Sequence, residues 1–131
     1  MDVDEFYNID TTKTIEFIKK ETYYKKGHTY NKKTNKRIAA IIPIHMWGNA
    51  ANIEDLLLIS KERNIPILED SSESLGTFYK KEKHSGKHTG TIGNIGCLSF
   101  NGNKIITTGG GGMILTDSQK LAEQANYLSK Q

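Results

Sequence analysis

Two short apolar runs flank one amphipathic segment, and this pattern limits the chain to a small set of folds. Residues 38–44 and 65–68 are strand-sized, and the first run is apolar on both faces, as in a strand that helices cover on both sides. Between them, residues 52–64 carry apolar side chains at helical spacing and acidic residues in the first turn. A strand–helix–strand unit of this kind joins parallel strands. The pattern therefore predicts an α/β fold with a mainly parallel sheet and flanking helices.

Further helices and strands are predicted from the same periodicities. They are a helix at 11–21, strands at 95–100 and 113–116, and a helix after residue 118. Asp10 or Thr11 is expected to cap the first of these helices, and Asp117 or Ser118 the last. The polar residues 77–92 are expected to form a surface excursion, such as a small hairpin.

The positive charge is concentrated between residues 19 and 37, which contain eight lysine and arginine side chains and three tyrosines. Because basic side chains neutralise phosphates and tyrosines stack on bases, one interpretation is a nucleic-acid-binding surface. The alternative is a solvated surface connection, since no known nucleic-acid-binding motif frames the run. We favour the connection, because the net charge of +3 is too small to indicate nucleic acid by itself.

Composition excludes several classes of protein. A hydrophobic share of 36% is too high for a disordered chain, and no apolar run approaches the roughly 20 residues that span a bilayer. The acidic residues 2–5 do not resemble a secretory signal. Cys97 is the single cysteine, which excludes an intrachain disulfide and fits a reducing compartment. We therefore expect a cytoplasmic protein without a membrane partner.

Neither a metal site nor a phosphate loop is supported by the residue spacing. His45, His84, His88 and Cys97 could be proposed as zinc ligands, but nearby glycines argue against a helix that would align the second and third. We expect no metal. Gly102 and Lys104 do not match the phosphate-loop pattern, because Asn103 separates them and no serine or threonine follows the lysine. The glycines at 109–112 do not match the dinucleotide fingerprint. They fit a tight turn or a ligand-contacting loop equally well.

The candidate chemistry lies where predicted strands end. Asp70 and His45 each follow an apolar strand, and ligands of open parallel sheets bind beyond the carboxyl ends of the strands. Both side chains are therefore expected near one cleft. Ser99 ends another strand, five residues before Lys104. Pyridoxal phosphate (PLP) needs a carboxylate near its pyridine nitrogen, a hydroxyl for its phosphate and an amine that condenses with its aldehyde. Asp70, Ser99 and Lys104 could supply these three groups.

Four sequence blocks resemble the DegT/DnrJ/EryC1/StrS family of PLP-dependent sugar aminotransferases. The blocks are residues 41–48 (IIPIHMWG), 69–76 (EDSSESLG), 93–104 (GNIGCLSFNGNK) and 107–113 (TTGGGGM). Residues 2–10 are also similar to the family's segment before this region. Within the family, the last two blocks most resemble perosamine- and legionaminic-type enzymes, which act on nucleotide-linked 4-keto-6-deoxy sugars.

The resemblance implies a role for each matching residue. Lys104 would be the catalytic residue that binds the cofactor covalently, Asp70 would pair with the pyridinium nitrogen, and Ser99 would bind the phosphate. Glu73 stands where many members have a glutamine near the substituents of the cofactor ring. Lys104 also argues against the family's dehydratase branch, which carries a histidine at this place.

By resemblance, the expected reaction is transfer of an amino group from L-glutamate to carbon 4 of a nucleotide-linked keto sugar. The product would serve biosynthesis of a surface glycan such as lipopolysaccharide, and the full-length form would be a homodimer. Nucleic acid is not an expected partner.

Length is the main departure from the family, whose members have several hundred residues. Residues 1–131 are therefore expected to be a central part of a type I aminotransferase large domain, with a basic insertion at about 24–37. The N-terminal part and the C-terminal small domain would be absent. One alternative is a truncated chain that is inactive alone, either a remnant or a piece that needs a complementing chain. Another is a nucleic-acid-binding module built on the basic stretch.

Overall fold

The structure is a computed structural model that describes residues 2–130. Within this range the α-helices are α1 (Thr11–Glu21), α2 (Glu54–Arg63) and α3 (Gln119–Leu128). The strands are β1 (Thr22–Lys25), β2 (His28–Asn31), β3 (Leu68–Asp70), β4 (Ile95–Ser99) and β5 (Gly112–Leu115). Strands β1 and β2 form a separate antiparallel pair, and the main sheet has the order β3-β4-β5.

The main sheet confirms the predicted crossover. Strand β3 pairs in parallel with β4, and β4 pairs antiparallel with β5. Residues 41–44 lie on the other side of β3, joined to it by parallel bridges between Ile41 and Ile67 and between Ile44 and Asp70. They form bridges rather than a continuous strand because Pro43 has no N–H to donate to the ladder. Residues 41–44, β3 and β4 nevertheless end side by side.

Burial of residues 38–44 differs from the prediction that both faces are covered. Ile41 and Pro43 are buried, whereas Ile42 and Ile44 are 52% and 40% exposed. Successive side chains of an extended segment point to opposite faces, and within the described residues helices α1 and α2 pack against only one of them. The expectation of two covered faces is therefore wrong for this structure.

The core lies between this covered face and helices α1 and α2. Its buried members are Ile18, Ile41, Ile53, Leu56, Ile59, Ile65 and Ile67. Helix α2 supplies Leu56 and Ile59 from one side, while Leu58 on its opposite side is 70% exposed. This one-sided burial is what a helical apolar stripe predicts.

The predicted helix caps are confirmed, and both chain-terminal helices lie where the sequence placed them. The Asp10 side chain accepts a hydrogen bond from the Lys13 amide at the start of α1. The Ser118 side chain accepts one from the Leu121 amide at the start of α3. The expected excursion after residue 77 contains an antiparallel bridge between residues 78 and 88, as in a small hairpin.

The basic stretch, predicted as a surface connection, contains the β1–β2 hairpin. Lys26 and Gly27, both at positive φ, make the two-residue turn between β1 and β2. Thr29 donates a hydrogen bond to the Arg63 carbonyl at 2.6 Å, and the Asn64 side chain donates to Gly27 at 2.6 Å. The hairpin is therefore attached to the C-terminal end of α2.

No helix among residues 2–130 combines the length and the apolar character needed to cross a bilayer.

The core predicts a clear difference between two leucines of one helix. Leu56→Ala should lower the free energy of unfolding by about 3 kcal/mol, because it leaves a cavity in the core. Leu58→Ala should change it by less than about 0.5 kcal/mol, since that side chain is exposed. Urea denaturation of both variants measures the difference, and equal losses would contradict this packing.

Candidate active site

Asp70 and Ser99 end two neighbouring parallel strands. Asp70 is paired with Cys97 in the β3–β4 register, and Ser99 follows two residues later on β4. Because side chains alternate along a strand, Asp70, Cys97 and Ser99 lie on the same face of the sheet. This is the face opposite the core, so the structure brings the predicted carboxylate and hydroxyl to one accessible edge.

Lys104 joins this edge through a contact that the sequence did not predict. Its Nζ lies 3.5 Å from Oε1 of Glu73, and its side chain is only 18% exposed. The other oxygen of Glu73 accepts a hydrogen bond from the Trp47 amide at 3.1 Å. Glu73 lies in the turn that follows Asp70 and is closed by a hydrogen bond from the Ser74 amide to the Ser71 carbonyl. The amine is thus held beside the segment that carries the acid.

The predicted acid and hydroxyl both retain hydrogen-bonding capacity. Oδ1 of Asp70 accepts a hydrogen bond from the Ser72 amide at 3.0 Å, which uses only part of the carboxylate. Oγ of Ser99 accepts from the Asn101 amide at 3.4 Å, so its O–H is available to donate. Burial, and then the nearby Asp70 carboxylate, raise the pKa of the Cys97 thiol.

The glycines at 109–112 form a tight turn that closes the loop carrying Lys104. Gly109 and Gly111 have φ of 82° and 100°, values that favour glycine. The Phe100 amide donates to the Gly111 carbonyl at 3.0 Å. A Cβ on Gly112 would lie 2.6 Å from the Leu98 carbonyl oxygen. The turn interpretation of these glycines is therefore observed.

His45 does not share the cleft with the Asp70 side chain, contrary to the sequence expectation. Its amide donates to the Asp70 carbonyl at 3.0 Å, but its fully buried ring turns to the core side of the sheet. There its Nε2 lies 3.0 Å from Oε2 of Glu69. The alternation of side chains at the strand ends places His45 with Glu69 and leaves Asp70 on the other face.

Glu69 is a buried carboxylate that sequence reasoning missed. Besides His45, it accepts hydrogen bonds from the amides of Gly90, Ile92 and Gly93. Because Nδ1 of His45 accepts from the Ala51 amide at 3.0 Å, the proton of the neutral ring lies on Nε2 and is donated to Glu69. A charged residue inside a buried strand needs hydrogen-bonding partners. The position of Glu69 directly after an apolar run was therefore a sequence signal for such a buried, satisfied carboxylate.

Two opposing effects act on the pKa of Glu69. Burial alone would raise it, but the hydrogen bonds from His45 and from the three amides favour the anion. The net result is a pKa below the ordinary value of 4.5. Glu69 is therefore an anion that is satisfied inside the protein.

The histidines and the cysteine considered as metal ligands are not brought together. His84 lies 3.4 Å from Glu54, while His88 accepts a hydrogen bond from the Gly76 amide. Among residues 2–130, no group of three or more histidine, cysteine, aspartate or glutamate side chains could hold a metal ion.

Comparison with known proteins gives one consistent result. The sequence model of the DegT/DnrJ/EryC1/StrS aminotransferase family matches residues 2–131. The chain is 34% identical over 111 residues to the GDP-perosamine synthase of Escherichia coli O157:H7, which covers 85% of this chain and 29% of that protein. The chain thus spans less than a third of the length of this curated relative.

Two solved structures share the fold. A DegT DnrJ EryC1 StrS aminotransferase from Brucella abortus superposes with a TM-score of 0.77 and 26% identity, over 94% of this chain and 30% of that one. GDP-4-keto-6-deoxy-D-mannose-3-dehydratase from E. coli, solved with bound hydrated PLP, superposes with a TM-score of 0.67 and 28% identity, over 92% and 26%. The α/β fold predicted for an aminotransferase large domain is confirmed.

The Glu69 interactions predict a pH-dependent loss of stability. A lowered folded-state pKa stabilises the protein above the unfolded pKa, near 4.5, and this contribution is lost as the pH falls through the folded value. Glu69→Gln should therefore lower the free energy of unfolding at pH 7 by about 3 kcal/mol, with a difference that shrinks below pH 4.5.

Urea denaturation at several pH values measures this effect. Glu62→Gln is the matched control, because that side chain is 58% exposed and pairs with Arg63 at the surface. A Glu69→Gln deficit that stays constant from pH 7 to pH 3 would show that the carboxylate's charge does not stabilise the fold.

Proposed function

The chain belongs to the DegT/DnrJ/EryC1/StrS aminotransferase family, and from this we propose that the protein transfers an amino group from L-glutamate to carbon 4 of a nucleotide-linked 4-keto-6-deoxy sugar. PLP is the cofactor of this family, as the solved E. coli relative illustrates. The similarity to a GDP-perosamine synthase supports a nucleotide-linked sugar as the substrate class. We further propose that the protein acts as a homodimer and that its product enters a surface glycan.

One observation carries the proposal. The Asp70 carboxylate and the Ser99 hydroxyl lie on one face at the ends of adjacent parallel strands. The Lys104 amine reaches the turn after Asp70 through its contact with Glu73. An acid, a hydroxyl and an amine at one strand-end edge form the donor set that PLP requires.

The residues present fit PLP by the chemistry of their free groups. Asp70 has acceptor capacity left for a protonated pyridine nitrogen, and Ser99 has an O–H left for a phosphate oxygen. The primary amine of Lys104 can condense with an aldehyde. When bound, PLP supplies an electron sink that makes a proton on the substrate carbon acidic.

Asp70 acts by keeping a negative charge at a fixed place. Its backbone is held from one side by the His45 amide and its side chain by the Ser72 amide. A carboxylate in this position stabilises a proton on the ring nitrogen that it faces. Replacing the carboxylate by a neutral amide removes that charge while retaining the side chain's shape.

Lys104 acts as the base and acid of the reaction. Its Nζ would take the proton from the substrate carbon and return a proton at the neighbouring centre. Glu73 holds this nitrogen at 3.5 Å, and the Trp47 amide orients Glu73 from the other oxygen. The amine is therefore positioned rather than freely mobile, which proton transfer requires.

The alternative of a chain that is inactive alone stays a prediction. It is favoured by the exposed apolar side chains beside the candidate site, such as Ile42, Ile44 and Ile114. Turnover by the isolated chain would contradict it. We propose no nucleic-acid role for the basic hairpin, because Tyr23 and Tyr30 stack on each other with ring centroids 5.5 Å apart.

Covalent trapping tests the assignment of Lys104. When the chain is mixed with PLP and reduced with borohydride, we expect one dominant cofactor adduct on the peptide that contains Lys104, because this amine is shielded and held at the site. Lys104→Arg should lose this adduct, whereas Lys80→Arg, an exposed lysine, should keep it. Intact mass and peptide mapping read the result. Adducts spread over surface lysines would count against Lys104.

Asp70→Asn tests the role of the carboxylate. We expect the variant to keep the Lys104 adduct but to transaminate about a hundredfold more slowly or worse, because the ring nitrogen loses its anionic partner. Formation of 2-oxoglutarate from L-glutamate measures the rate. Asp117→Asn, at an exposed position before α3, serves as the control. A near-normal rate in Asp70→Asn would contradict the assignment.

A further inference from the structure

Trp47 presents its indole to solvent from an unusual backbone conformation. It has φ of 50° and ψ of 31°, in the left-handed region that few residues other than glycine adopt. Trp47 is 66% exposed. Core packing therefore does not account for this conformation, although large aromatic side chains are usually buried.

Three side chains from other segments hold this conformation in place. The Met46 amide donates to Oδ1 of Asn8 at 3.0 Å, and the Trp47 amide donates to Oε2 of Glu73 at 3.1 Å. The Gly48 carbonyl accepts a hydrogen bond from the Thr77 hydroxyl at 2.9 Å. Asn8 is itself 2% exposed, so this set of hydrogen bonds is anchored inside the protein. The backbone that carries the exposed indole is therefore held in place.

Tyr7 extends the aromatic surface. Its ring packs edge-on against Trp47 with centroids 5.1 Å apart and planes at 61°. Tyr7 is 58% exposed, and its φ of 62° is also left-handed. It precedes the buried Asn8, which ties both rings to the same hydrogen-bonded unit. Two exposed aromatic rings are thus fixed together where neither is needed for the core.

The Glu73 carboxylate connects this aromatic pair to the Lys104 amine, the candidate reactive group. Oε2 of Glu73 binds the Trp47 amide, while Oε1 of the same side chain lies 3.5 Å from Nζ of Lys104. The ring of a substrate that reacts at Lys104 must lie close to this nitrogen. The ion pair of Glu73 with Lys104 has no net charge, so it offers a diphosphate no net attraction, and its polar atoms suit a neutral group that carries hydroxyls.

We propose that Trp47 and Tyr7 form the binding surface for the hexose ring of the nucleotide-linked substrate, an inference that rests on the proposed function. The C–H face of a pyranose packs on an aromatic face through apolar contact and weak C–H interactions. The indole Nε1–H can also donate to a ring hydroxyl. The nucleotide then lies away from Glu73, on the side of the hexose remote from Lys104.

The experiment uses the emission of Trp47, which is the only tryptophan of the chain. The probes are GDP-mannose and dTDP-glucose, which have no keto group to react, with GDP and dTDP as sugar-free counterparts. We expect a saturable change in emission with both sugar nucleotides and about tenfold or more weaker binding of the bare nucleotides.

Substitutions of Trp47 separate ring binding from folding. Trp47→Gly removes the indole and suits the left-handed backbone, so it should leave the far-ultraviolet circular dichroism unchanged. It should weaken binding of GDP-mannose about tenfold or more in calorimetry, while Trp47→Tyr should restore affinity to within about threefold. Tyr24→Ala removes a comparably exposed aromatic ring from the β1–β2 hairpin and should leave binding unchanged.

Several results would overturn the inference: equal binding by Trp47→Gly, equal affinity for GDP and GDP-mannose, or no saturable binding of either sugar nucleotide. Because no PLP is present in these titrations, they do not depend on the cofactor chemistry. Failure of the proposed function would instead show as the absence of a reducible adduct on Lys104.

Discussion

The buried carboxylate of Glu69 is the interaction on which the arrangement of the site depends. It accepts hydrogen bonds from the His45 ring and from amides of residues 90–93, and so connects β3 to the segments before and after it. His45 directly follows residues 41–44, and residues 90–93 lead into β4, so both segments belong to stretches of the chain that lie beside β3. Because one satisfied anion joins all three, the ends of these strands are held in a defined register. Asp70 is the next residue and receives its position from this anchor.

Two adjacent acids in β3 therefore have opposite roles, and the pleat of the strand separates them. Glu69 faces the core, where its donors are all internal. Asp70 faces the other side, with one internal hydrogen bond and open acceptor capacity. A third acid, Glu73, follows in the turn and contacts both Lys104 and the Trp47 backbone. The buried charge of Glu69, the charge of Asp70 that we propose faces the cofactor, and the charge of Glu73 beside Lys104 thus lie within five residues of sequence.

Periodicity and strand-end reasoning predicted the crossover, the helix caps and the placement of Asp70 and Ser99 together, because these depend on local patterns. The hairpin β1–β2 was missed because its turn, Lys26-Gly27, lacks the asparagine or aspartate that marks such turns. His45 was misplaced because following a strand does not say which face the side chain takes. The partners of Glu69 lie 21 or more residues away in sequence, so no local pattern could identify them. Likewise, the contact of Lys104 with Glu73 joins two loops whose paths periodicity does not describe.

We propose that Asp70, Ser99 and Lys104 surround one bound PLP. A crystal structure of the chain after reduction with PLP and borohydride tests this directly. We expect a cofactor attached to Nζ of Lys104, with its ring nitrogen at hydrogen-bonding distance from the Asp70 carboxylate and its phosphate at the Ser99 hydroxyl. A cofactor on Lys104 whose ring nitrogen points away from Asp70, or whose phosphate is bound elsewhere, would contradict it.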